Sequence, residues 1–166
     1  MESEKERIQT LKKFRKYRKS LKASEAELIE KLQNFHKSKD DRVKTLKNSE
    51  NDLKPLNPDD AGEIYIISQL NVARAMPKVL DQHINLLEEG EDLDRVLVSF
   101  EYNVYRVKKD VYADMGDWEL LLKVLPDDRR FHIQKDPKGP GDLILKELIW
   151  IKDYEKGLKD MGFERI

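Results

Sequence analysis

Nine basic residues stand between Lys5 and Lys22 against one acid, Glu6, and no other stretch of this 166-residue chain concentrates one kind of chemistry so strongly. Turned at 100° per residue, Lys5, Lys12, Lys16 and Lys19 fall on one positive face, while Arg7, Arg15 and Arg18 intrude among Ile8, Leu11 and Phe14. A helix of this kind can follow a row of phosphates, with Phe14 and Tyr17 available to stack on unpaired bases. It can equally dock on an acidic protein, or on an acidic part of its own chain. Its apolar side is too thin to embed in a membrane surface. The contact residues read from this pattern are Lys12, Phe14, Arg15, Lys16, Tyr17, Arg18 and Lys19. Arg129 and Arg130, with Phe131, His132, Lys135 and Lys138, form a second basic patch in the segment 127–141, which reads as an exposed loop around a brief strand at 131–133.

Other constellations are weaker. His36, His83 and His132 have no second histidine at helical spacing, and the residues three before them are Gln33, Leu80 and Arg129, so the Glu-x-x-His element of a di-iron bundle is missing. Glu27-x-x-Glu30 and Glu91-x-x-Asp94 have the spacing of carboxylate pairs that hold magnesium on facing helices, but they lie far apart in the chain. They support a third reading, a metal-dependent phosphohydrolase acting through Glu91 and Asp94. Neither the acidic cluster from Glu88 to Asp94 nor the one at Asp110, Asp114 and Asp117 follows the order of a calcium loop, and Lys138-Gly139-Pro140-Gly141 lacks the pattern of a phosphate loop. No nucleophile elbow and no dinucleotide fingerprint occurs. The absence of cysteine removes thiol nucleophiles, disulfides and cysteine-ligated metals. No residue is therefore assigned as catalytic, cofactor-binding or metal-ligating, and no small-molecule ligand is expected.

The elements that would position these residues follow from composition and punctuation. Residues 1–58 hold 16 Lys+Arg against 10 Asp+Glu, a net of +6, whereas residues 59–166 hold 16 against 23, a net of −7. Charged residues are 39% of the chain and apolar ones 39%, which suits thin helices with broad solvated faces. There is neither Gly nor Pro from Met1 to Lys54, so a helix can run through most of this arm. Ser24 and Glu27 form a capping-box pair that would start a second helix after Ala23. Leu28, Leu32, Phe35, Lys39, Val43, Leu46 and Leu53 continue as one narrow stripe. Pro55-Leu56-Asn57-Pro58 is the clearest linker and coincides with the charge step.

Beyond the linker, Asp60 and Glu63 cap a helix whose Ile66, Gln69, Ala73, Met76, Leu80, His83 and Leu87 make a heptad seam. Pro77 should kink or break it near Met76, and Gly90 should end it. The next helix carries Leu93, Leu97, Phe100, Val104, Val107 and Val111 on its seam, flanked by Tyr102, Tyr105 and Tyr112. A short amphipathic turn bears Trp118, Leu121, Leu122 and Leu125. A last helix from about Asp142 bears Ile144, Leu148, Ile151 and Leu158.

These observations predict an all-α protein: a basic helical hairpin or single long helix over residues 1–54, a proline linker at 55–58, and an acidic antiparallel helical bundle over 59–166 with a basic loop at 127–141. The expected function is non-enzymatic assembly, with coiled-coil seams that pair within the chain or between copies and a protein partner received by the arm or the loop. The alternative is nucleic-acid binding through the same arm. The amino terminus shows no secretory leader and no stretch reaches the ~18 apolar residues of a membrane span, so a soluble, cytoplasmic location is expected.

Overall fold

The computed structural model describes residues 4–35, 60–113 and 115–162. Among them are six helices and no strand: α1 (Glu4–Phe35), α2 (Ala61–Glu88), α3 (Leu93–Val111), α4 (Asp117–Val124), α5 (Asp127–Lys135) and α6 (Pro140–Asp160). The protein is an all-α helical bundle. The rest of the amino-terminal stripe, His36 and the proline linker lie outside the described residues.

α2 is the central element. Its Asp60 side chain accepts the Glu63 amide at 3.2 Å, as the sequence predicts. Its other end closes on Gly90, at φ 89°, where the Gly90 amide reaches Leu87 O and the Glu91 amide reaches Leu86 O, a double closure that glycine accommodates without strain. The turn into α3 is then completed by Asp92, whose carboxylate accepts the Arg95 amide at 3.1 Å.

α1 lies antiparallel on α2. From one end to the other, Arg7 Nη1 donates to Leu87 O at 2.9 Å, Arg18 meets Asp81, Glu25 meets Arg74 at 3.2 Å, and Leu32 packs with Ile67 and Leu70. α3 returns antiparallel to α2 on another side, with His83 opposite Ser99 and Gln69 opposite Tyr112. α6 runs antiparallel to α3, with Tyr105 against Tyr154 and Lys108 against Glu147 at 3.0 Å, Lys109 also meets Glu155 at 3.2 Å, and α4 and α5 both pack against α6.

The core divides along α2. Phe14 and Leu21 of α1 join Met76, Leu80, Leu87, Leu93 and Val96 at one end. Ile64, Tyr105, Tyr112, Leu122, Ile133, Ile144 and Leu148 fill the other. Tyr112 is enclosed there, and burial, reinforced by the Glu147 carboxylate, pushes its phenol well above the ordinary 10.0.

Four sequence expectations are corrected. Residues 23–24 do not separate two helices, because α1 continues through them: Ala23, Ala26 and Leu28 favour helix, and the contacts with α2 extend to Leu32. Of the kink or break expected at Pro77, the break does not occur: α2 continues for eleven residues to Glu88, held on both sides of the proline by the buried Met76, Val79 and Leu80. The segment 127–135 is a helix rather than a loop or strand: Pro126 precedes it, Asp127 and Asp128 sit at its positive end, and His132 and Lys135 at its negative end. Tyr105, and Tyr112 just past the end of α3, do not flank the seam but are buried in the core, since α3 faces both α2 and α6.

Candidate partner-binding face

Every arginine of α1 faces α2. Arg7 donates to the Leu87 carbonyl, Arg15 Nη2 lies 2.9 Å from Glu88 Oε1, and Arg18 binds Asp81. The planar guanidinium can hold a carboxylate or carbonyl with directed bonds at a helix–helix seam, which a lysine ammonium does less well. Lysines occupy the rest of the surface. Lys12, Lys16 and Lys19 are exposed and meet no hydrogen-bond or ion-pair partner among the described residues. They stand roughly 160° around the helix from Phe14 and Leu21, on the side away from the bundle. Lys5, Lys13 and Lys22 are exposed near them.

The aromatic residues of the arm divide in the same way. Phe14 is 8% exposed, and its ring lies 4.6 Å from that of Phe100. Phe14 is thus a core residue, which corrects the expectation that it stacks on bases. Tyr17 is 43% exposed, but it does not lie on the side of the three lysines.

The second basic patch is answered from within. Arg129 Nη2 lies 3.3 Å from Asp142 Oδ1, Arg130 Nη2 donates to Leu122 O at 2.8 Å, and Lys138 Nζ lies 2.6 Å from Asp136 Oδ2. The exposed Asp136–Lys138 pair holds the carboxyl below and the amine above their usual ranges, chiefly through their shared hydrogen bond. Asp142 also accepts the Lys138 amide at 3.0 Å. Arg129 and Lys138 fix the turn into α6, and Arg130 ties α5 to α4.

Two further clusters combine polar chemistry with burial. His83 is fully enclosed, with Nδ1 2.7 Å from Val79 O and Nε2 2.9 Å from Ser99 Oγ. A carbonyl can only accept, so Nδ1 carries the proton, and in the neutral ring Nε2 accepts from Ser99. The Phe100 ring meets His83 edge-on at 5.6 Å, and Asn103 Nδ2 donates to Ser99 O at 2.7 Å. This arrangement joins α2 to α3 inside the core.

On the α3–α6 seam, Tyr105 stacks on Tyr154 at 4.8 Å and Tyr154 on Trp150 at 5.4 Å. Lys108 Nζ sits 4.6 Å over the Trp150 ring while pairing with Glu147. Tyr105 donates to Glu155 at 3.1 Å and accepts from Lys109 at 3.1 Å. Each ammonium thus has both an aromatic face and a carboxylate.

Glu91 and Asp94 are exposed at the start of α3. Among the described residues no three His, Asp or Glu side chains come together as a metal-ligand set, and no helix is long and apolar enough to cross a membrane. No protein-family model, no curated protein and no solved structure matches the chain.

Proposed function

We propose that this protein is a non-enzymatic helical binding module that receives an acidic protein surface on the lysine face of α1. The carrying observation is the division of labour along that helix: its arginines are engaged with α2, whereas Lys12, Lys16 and Lys19 point away with no partner among the described residues. The bundle contributes rigidity, since α1 is packed along α2 as one continuous helix of 32 residues, about 48 Å at 1.5 Å per residue, so the lysines form a fixed row. A flexible basic tail would lose more conformational freedom on binding. Nucleic acid is the less favoured occupant, because Phe14 is buried and Arg15 and Arg18 already hold carboxylates.

The test is a fluorescence-anisotropy titration of labelled oligo-glutamate, single-stranded DNA and duplex DNA against the intact protein at two salt concentrations. Oligo-glutamate binding that falls at least about tenfold in K12E/K16E/K19E, with helicity unchanged, is the expected result; charge reversal at three contacts removes several weak screened attractions at once. Binding of DNA in preference to the peptide would transfer the face to nucleic acid. Binding of neither would sink the proposal.

A further inference from the structure

α4 presents three large apolar side chains to solvent on one side: Leu120, Leu121 and Val124 are 60%, 42% and 74% exposed. Their spacing of three and four residues makes them contiguous on the helix. The buried face is elsewhere, at Leu122 with Trp118 and Leu125 packed beside it. On α5, which Arg130 ties to α4 through Leu122 O, Phe131 is also exposed, two positions from the fully buried Ile133. On α4 alone these side chains present on the order of 300 Å² of apolar surface, the size of the largest exposed patch on many monomers and one that is often functional.

We infer that this α4 face is the contact between two copies of the chain, with the α4 helices antiparallel across a twofold axis. The charges around it choose the occupant. α4 carries Asp117 and Glu119 in its first turn and Lys123 in its last. Asp117 and Lys123 are exposed and, among the described residues, meet no ion-pair partner. α5 repeats the order, with Asp127 and Asp128 first and His132 and Lys135 last. A pattern that is acidic at one end and basic at the other is complementary to itself when reversed, which is the requirement of an isologous interface. Pairing α4 with α4 about the Leu120–Leu121 position sets Asp117 of one copy beside Lys123 of the other, twice, and opposes the helix dipoles favourably. Residues 117–135 balance four acids against four bases, Lys123, Arg129, Arg130 and Lys135, so no net positive charge draws this face to an anionic membrane. A partner helix of one charge sign would find a repulsive end.

Two such faces bury about 600 Å² of apolar surface, below the ~1,200 Å² lower bound of a standard stable interface, so the pairing is a weak equilibrium. It is independent of the lysine face and stands or falls separately.

Sedimentation velocity on the full chain tests it. From about 5 to 500 µM the apparent mass should rise from that of the 19.6 kDa chain toward twice that value. Leu120→Glu should hold the protein monomeric throughout, and its exposed position leaves the fold intact by circular dichroism. Asp117→Lys alone and Lys123→Asp alone should each weaken the dimer at least about fivefold, and an equimolar mixture of the two should recover it, because each then supplies the charge the other lacks. A wild-type chain that stays monomeric at 500 µM overturns the inference, as does dimerisation unchanged by Leu120→Glu. Failure of the mixture to recover overturns the antiparallel register.

Discussion

Arg18 grips Asp81 with a two-pronged contact, Nε to Oδ1 at 2.9 Å and Nη2 to Oδ2 at 3.4 Å. It joins the basic arm to the acidic body and sets the register of α1 on α2. Both partners are partly exposed, so the pair is worth about 0.5–1 kcal/mol and is screened by salt. A double-mutant cycle with Arg18→Ala and Asp81→Ala should return a coupling of that size at low salt and a clearly smaller one in 1 M NaCl. A coupling indifferent to salt would mean that the two side chains interact through packing.

The larger contribution to docking α1 is apolar. Phe14→Ala removes a buried ring that packs on Phe100 within the cluster holding Leu80 and Leu87, and should cost about 3 kcal/mol of stability. Because Phe14 belongs to the cluster at one end of α2, hydrogen exchange should accelerate in α1 and the start of α3 more than in α6. Equal acceleration in all helices would show that the two ends of the core are not separable.

Much of this architecture is written in the sequence. The Asp60 cap, the Gly90 stop and the apolar row through Ala73, Met76, Leu80 and Leu87 appear where spacing and punctuation place them. Burial of Ile64, Ile67, Leu70 and Ile84 as well shows why one seam was too narrow a description: α2 is covered on several sides, and a single-face pattern cannot count the neighbours of a central helix. α5 escaped for the opposite reason, since only Ile133 is buried there and a helix with one buried residue leaves no periodicity. The basic arm was legible as a charge run, but the separation of arginines from lysines was not. It depends on where Asp81 and Glu88 lie across the seam, which sequence order does not reveal.

The His83–Ser99 contact behaves as a structural pair. Ser99→Ala leaves the enclosed Nε2 without its donor and should lower stability by about 1–2 kcal/mol in urea denaturation. Replacing both partners, His83→Leu with Ser99→Ala, removes the unmet polar atom and should recover part of that loss. A double variant that loses the sum of both single effects would show that packing around the ring, not the hydrogen bond, governs the site.

Pro77 lies within α2 and removes an amide that would otherwise bond to the Ala73 carbonyl. Since the helix continues through it, Pro77→Ala should raise stability, by about 1–3 kcal/mol, through the restored bond and higher helix propensity. A fall in stability would mean that a bend at this residue is needed to fit α1 and α3.

Alkaline pH offers the cleanest test of the tyrosine-rich end of the core. Burial raises the phenols of Tyr112, Tyr65, Tyr105 and Tyr154 above 10.0, with the Glu147 charge adding to the effect at Tyr112 and Tyr65. Above pH 10 the unfolded chain gives up these protons while the folded chain keeps them. The folded state therefore binds more protons, and stability that is fully present below pH about 10 falls as pH rises. Each fully retained proton contributes a slope of about 1.4 kcal/mol per pH unit. Tyr112→Phe removes the most strongly shifted phenol, the long hydrogen bond from Gln69 at 3.3 Å and the contact with the Ser68 hydroxyl. Urea midpoints measured from pH 8 to 11 should therefore differ little between Tyr112→Phe and wild type at pH 8, and the variant should lose stability less steeply above pH 10. An identical slope would place the Tyr112 hydroxyl in contact with water rather than in the core.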